Sequence, residues 1–148
     1  MKNRLITVNR ISSETFADTS CVSLGLIPDS VLKILQSHAP QIISRIHSQE
    51  VLLWSNRIEH IERHKNDFLS DKFYEICLED MPEFIRDPDC ISIKSDGSSI
   101  SFIKKLSQNV SVAVRVSTGG KLSVRTMYPI MDIQLEAYLK HGTAWNLK

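Results

Sequence analysis

His60 and His64 stand four residues apart in the run His60-Ile61-Glu62-Arg63-His64, a spacing that sets both imidazoles on one face of a helix. Two histidines so placed can share a metal ion. Helices that use them for metal-assisted hydrolysis carry a glutamate second or fourth in the run, whereas Glu62 is third and points away from the pair. A third ligand would have to come from His38, His47 or His141, and no spacing announces one. An imidazole titrating at about 6.5 passes protons in either direction at neutral pH. The pair therefore reads as proton-transfer groups or as surface histidines without a role, ahead of a metal site, and no cofactor is expected. Farther on, Lys105, Arg115 and Arg125 recur in a stretch rich in Ser and Val. Such cations form a solvated face or grip an anion, most naturally a phosphodiester. Other templates fail: Gly119-Gly120 belongs to a hairpin rather than a phosphate loop, and Gly-x-Ser-x-Gly is absent.

The elements that must position these residues belong to an ordinary globular chain. Its 148 residues make about one domain, 42% hydrophobic and 24% charged, with a formal charge of +1. That total excludes a global field toward nucleic acid or membrane, yet it hides a dipole. Residues 91–128 carry six cations against Asp96 alone, a net +5, whereas residues 59–89 carry four cations against ten acids, a net −6. No apolar run approaches the roughly 20 residues of a membrane span. The start, Met1 to Arg10, has positive charge but no apolar stretch behind it, so a cytoplasmic protein with no membrane partner is expected. Cys21, Cys77 and Cys90 are odd in number and widely spaced, and read as reduced, buried small hydrophobes.

Helical signals precede Pro88 and alternation follows it. Residues 1–27 are the least readable, with a short strand expected over Leu5–Val8. Pro28-Asp29-Ser30 opens a helix that Pro40 ends or kinks, and a second helical segment runs from Gln41 to about Ser48. Glu50–Trp54 is strand or helix. Ser55 is a plausible cap for an amphipathic helix with Ile58, Ile61, Lys65 and Phe68 on its stripe. Asp71 to about Ile85 is helical with a break at Pro82. Trp54, Phe68, Phe73 and Tyr74 follow apolar stripes and are expected in the core.

The C-terminal half reads as a four-stranded antiparallel meander. A two-residue turn at Asp96-Gly97 sets Ile93 against Ile100 and Ile91 against Phe102. A three-residue loop at Thr118-Gly119-Gly120 sets Val116 against Leu122, Val114 against Val124 and Val112 against Thr126. It also places Arg125 beside Ala113. An even register between the middle strands puts Phe102 opposite Val114, leaving one apolar face for the helices to cover. The other face holds Ser92, Lys94, Ser99, Ser101, Ile103, Lys105, Ser111, Ala113, Arg115, Ser123, Arg125 and Met127.

The order of a His-x-x-x-His helix, an acidic helix, a Pro-Asp turn, a meander and a closing Arg125-Thr126-Met127-Tyr128 resembles the phage-type members of the barnase, EndoU, colicin and RelE nuclease superfamily. The resemblance implies an α+β fold, with N-terminal helices packed on one face of the meander. The resemblance covers about residues 50–130, the nuclease-like core; the length makes 1–148 a single domain, in which 1–50 is a poorly readable N-terminal helical segment and 131–148 a C-terminal helix and tail. Carried over by position, His60, His64, Arg125, Thr126 and Tyr128 would be catalytic, and Lys105, Arg115 and Arg125 would hold RNA. Thr126, on the apolar side in the register above, departs from that pattern. The implied activity is a metal-independent ribonuclease of toxin type, with tRNA among the candidate substrates. By analogy a protein inhibitor or immunity protein would cover the basic face. The chemistry agrees, since cleavage by RNA's own 2′-hydroxyl needs a base, an acid and cations for the phosphorane. A nonenzymatic RNA- or protein-binding module of the same fold is the alternative.

Overall fold

The computed structural model describes residues 5–148; Met1–Arg4, where the leader-like charge begins, lie outside the described residues. β1 (Cys21–Leu26) is followed by α1 (Asp29–His38) and α2 (Pro40–Arg45), and the chain returns as β2 (Glu50–Trp54), antiparallel to β1. Pro40 occupies the first turn of α2, where its missing N–H leaves no bond unmade. Next come α3 (Arg57–Glu62), a single 3-10 turn (Lys65–Asp67), α4 (Asp71–Glu79) and α5 (Met81–Arg86). The Ser70 hydroxyl caps α4 by accepting from the Phe73 N–H at 3.0 Å. β3 (Cys90–Ile93), β4 (Ser99–Lys105), β5 (Asn109–Val116), β6 (Leu122–Ile130), α6 (Asp132–Lys140) and β7 (Ala144–Asn146) complete the chain.

The strands form one sheet in the order β1-β2-β6-β5-β4-β3-β7. β2 runs parallel to β6, and the other neighbours are antiparallel. The fold is α+β, but the four-stranded meander expected from sequence is only the middle of a seven-stranded mixed sheet. β1 was hidden because Cys21, Val22, Ser23 and Leu24 are all buried, so no period of two shows. Thr7 makes an isolated bridge to Ser23 where a strand over Leu5–Val8 was expected. The expected C-terminal tail supplies β7, which pairs with β3.

Ile91 pairs with Phe102 and Ile93 with Ile100, as the hairpin arithmetic requires. The turn is not type I′, however, because Gly97 is at φ 73° while among the described residues no non-glycine residue has positive φ. The Gly97 N–H instead donates to Lys94 O at 2.8 Å, closing a wider loop of the same register. Phe102 faces Val112 rather than Val114, a shift of two residues that keeps the same side inward. Gly120 turns the β5–β6 hairpin at φ 81°, and a Cβ there would run into the His47 ring. His47 N–H donates to Gly120 O at 2.9 Å, and Arg45 donates to the carbonyls of Gly97 and Val116 at 3.2 and 3.5 Å. The end of α2 thus ties both hairpin tips to the first half of the chain.

The main core lies between the helices and one sheet face, with Leu24, Leu35, Leu53, Ile61, Tyr74, Ile91, Phe102 and Val112 almost fully buried. Each such aliphatic or aromatic side chain contributes about 1.5–3 kcal/mol. The other face is not wholly open: Cys90, Ile103 and Ile130 pack under Leu135 of α6. Four residues expected on that open face are buried: Ile103, Ser111, Ala113 and Met127. Ile103 is covered by α6, and Met127 lies in the main core. All three cysteines are free and buried.

Candidate active site

β6 makes only two pairs with β2, Leu122 with Val51 and Ser123 with Leu52. Along the rest of that edge pack α3 and the 3-10 turn. Fully buried Ile61 and partly buried Ile58 anchor α3 there, which leaves the polar side of the helix beside β6. The helix is shorter than the apolar stripe predicts. It ends at Glu62, so His60 is helical whereas His64 lies in the following turn, and the two do not share one helix face.

A β-bulge shapes the strand opposite. Ser123 pairs with Arg115 and Val124 with Val114, but Ala113 then pairs with Thr126, leaving Arg125 as the extra residue. Arg57 clamps this bulge, donating from Nε and Nη2 to the Arg125 carbonyl at 3.1 and 2.6 Å. One inserted residue reverses the alternation beyond it. Thr126, expected opposite Val112 on the apolar side, pairs instead with Ala113, and Met127 takes the place opposite Val112 in the core. The Ala113 position expected for Arg125 is therefore Thr126's. The Thr126 hydroxyl is buried and has no hydrogen-bond partner among the described residues.

An open groove of about 490 Å³ runs between α3 and the sheet, lined by Trp54, Asn56, Arg57, His60, Arg115, Ser123, Val124 and Arg125. Arg115 and Arg125 are exposed, and among the described residues neither has a carboxylate within ion-pair distance. His60 is half-buried at the wall. Desolvation, then the charges of Arg57, Arg63, His64 and Arg125, hold it below the ordinary imidazole pKa, which favours the free base at neutral pH. His64 sits farther along β6, its ring 5.7 Å from that of Tyr128 and its Nδ1 3.6 Å from the Asp67 carboxylate. Thr126 lies between these two stations on β6.

Lys105 is not brought to this groove. It pairs with Asn109, six residues along β5 from Arg115 and so about 20 Å away at the usual strand rise. Its neighbour Lys104 is held by Asp87 at 3.2 Å, and Lys148 bridges Asp87 and Asp89 at 3.0 and 2.9 Å. Part of the sheet's basic excess is thereby neutralised locally.

Trp54, expected in the core, is 45% exposed in the groove. Strand alternation explains it, since Val51 and Leu53 face the main core and Leu52 and Trp54 the other side. Asn56, Arg57 and Ser123 carry no motif. The one signal for Asn56 and Arg57 was their place just after a buried strand, where loops carry polar groups over a site.

A family model described as phage-Barnase-EndoU-ColicinE5/D-RelE like nuclease 3 matches residues 30–137, a span that includes the whole groove. No curated protein and no solved structure matches the chain.

Proposed function

Because the chain belongs to the phage-Barnase-EndoU-ColicinE5/D-RelE like nuclease 3 family, we propose that its groove is the active site of a metal-independent endoribonuclease. The observation that carries this reading is His60, a half-buried imidazole with lowered proton affinity in one groove with Arg115 and Arg125. His60 takes the proton from the substrate's 2′-hydroxyl, whose oxygen then attacks the adjacent phosphorus. The bond to the 5′-oxygen breaks, leaving a 2′,3′-cyclic phosphate on one fragment and a 5′-hydroxyl on the other. His64, beside Tyr128, supplies the proton to that departing oxygen. Arg115 and Arg125 hold the phosphate and take up the charge of the phosphorane, for which a guanidinium's paired donors are suited. No carboxylate lines the groove among the described residues, so its donor set suits an anion and opposes a divalent cation.

Such an activity in the cytoplasm would act as a toxin, tRNA being one candidate target. It would call for a protein inhibitor or immunity protein whose acidic surface covers the groove. The test incubates the purified chain with total RNA and with tRNA, with and without EDTA, beside a matched DNA strand. RNA should be cut in EDTA, leaving cyclic phosphate ends, while DNA, lacking the 2′-hydroxyl, is bound and left intact. Loss of cutting in EDTA refutes the metal-independent mechanism. Salt-sensitive retention of RNA without any cutting makes the protein a binding module instead.

A further inference from the structure

The open face of the sheet holds a second depression, about 270 Å³, which no histidine or arginine enters. Ser99 and Ser101 of β4 and Ser111 of β5 line it, with Tyr128 of β6 and Tyr138 of α6. Lys94 is its single charged lining residue. The trough adjoins the arginine groove across the strands, because Ser99 of the trough pairs with Arg115 of the groove. It adjoins the histidines as well, through the Tyr128 ring 5.7 Å from that of His64. Tyr138 is 37% exposed, so its ring is not committed to the core. Ser99 and Ser101 are partly exposed, whereas Ser111 is buried, at 1% exposure.

The two depressions differ in what they can hold. Guanidiniums around His60 suit a phosphate. A trough of hydroxyls and phenol rings suits a flat, uncharged heterocycle, since the rings offer stacking and the partly exposed hydroxyls of Ser99 and Ser101 can donate to or accept from a base edge. We propose that the trough is a nucleobase subsite, holding the unpaired base of a nucleotide whose phosphate lies in the arginine groove. This rests on the groove being a phosphate site, as the nuclease reading requires. It makes single-stranded RNA the substrate class, because a base stacked inside an A-form duplex cannot leave the stack to enter the trough.

Calorimetric titration with inorganic phosphate and with the four nucleoside 3′-monophosphates tests the assignment. At least one nucleotide should bind 10-fold or more tightly than phosphate. Ser101→Leu, which fills the trough, and Tyr138→Ala, which removes an exposed ring, should each cut that advantage by about five-fold or more, the scale of one lost base–aromatic contact. Both should leave the affinity for inorganic phosphate unchanged. Should Ser101→Leu fail to fold, Tyr138→Ala decides, its site being on the exposed side of α6. Four nucleotides that bind no better than phosphate, or variants that keep the full advantage, overturn the subsite. RNA cleavage by the unaltered protein separates the two ideas: cutting without a base advantage overturns the subsite alone, and a base advantage without cutting supports the subsite and overturns the nuclease reading. Binding of neither phosphate nor nucleotide overturns both.

Discussion

Removing the clamp on the β6 bulge, by Arg57→Ala, tests whether that bulge aims the groove. Hydrogen bonds from a charged donor are worth about 1.5–3 kcal/mol each, but the two from Arg57 share one carbonyl at a half-exposed site. Discounted for solvent, the pair contributes about 1–2 kcal/mol. In a domain of this size Tm should fall by about 3–8 °C. The bulge itself should survive. Closing it would expel Met127 from a fully buried site, at about 2–5 kcal/mol, and turn the Thr126 hydroxyl toward the core. That exceeds what Arg57 supplies, so the strand loosens without slipping, and Arg125 loses its fixed aim. Urea unfolding followed by circular dichroism reads the stability, and single-turnover RNA cleavage reads the aim. Cleavage should drop at least 10-fold, the scale of one lost transition-state contact of about 1.4 kcal/mol, with a smaller loss in RNA affinity. Arg57→Lys, which keeps the charge but not the fork, should recover the affinity more than the rate. Parent stability and parent rate in Arg57→Ala would refute the clamp, and reduced stability with an unchanged rate would show that the bulge does not position Arg125.

His60→Ala and His64→Ala should leave RNA affinity nearly intact while at least one lowers the cleavage rate by about 100-fold, and parent rates in both folded variants sink the proton-transfer reading. Because the folded pKa of His60 is lowered, its free base persists to lower pH, so the acid limb of the single-turnover profile should fall below about 6.5 and vanish in His60→Ala. Asp87, hydrogen-bonded by Lys148 and Lys104, is held below its ordinary pKa. So is Asp89, where the Lys105 amide and Lys148 outweigh desolvation. Depressed carboxylates add stability above their unfolded pKa of about 3.9 that is lost as pH falls through the folded value. Lys148→Met should therefore weaken the protein at neutral pH and flatten its loss of stability in acid, as acid titration by circular dichroism would read; an unchanged titration counts against the cluster. Gly120→Ala should destabilise by more than about 1 kcal/mol in urea, since positive φ and the His47 ring both oppose a Cβ, and parent stability would contradict that geometry.

What could be read in advance was whatever repeats locally. Counting from Asp96-Gly97 reached the whole β3–β4 register, counting from Thr118-Gly119-Gly120 reached the β5–β6 register only as far as Val114 opposite Val124, and Pro28, Pro40 and Pro82 punctuated the helices where the chain bends. The bulge at Arg125 was not legible, because an inserted residue leaves no mark in Val-Arg-Thr-Met. Its effect is nonetheless to exchange Thr126 and Met127 between the two faces. The pairing of β2 with β6 joins residues about 70 positions apart and spans two residues on each strand, too few for a pattern. Trp54 and Arg57 owe their place in the groove to that contact, so sequence spacing could not reveal them. His60 and His64 were found by type, yet their relation changed once α3 ended at Glu62.

Charge counted by segment likewise differs from charge available at the groove. The net +5 of residues 91–128 includes Lys104, already engaged with Asp87, and Lys105, at the far end of the sheet. The field that matters comes from Arg57, Arg115 and Arg125. Two of these, Arg57 and Arg125, also lower the proton affinity of His60. A phosphodiester entering the groove would offset their charge, and the free base already present on His60 would become a stronger one as the substrate arrives. Removing Arg125 would then weaken phosphate binding and, by sparing His60 a neighbouring cation, move the acid limb of cleavage toward higher pH. A limb that stays in place in Arg125→Ala would mean that the arginine holds phosphate without tuning the base.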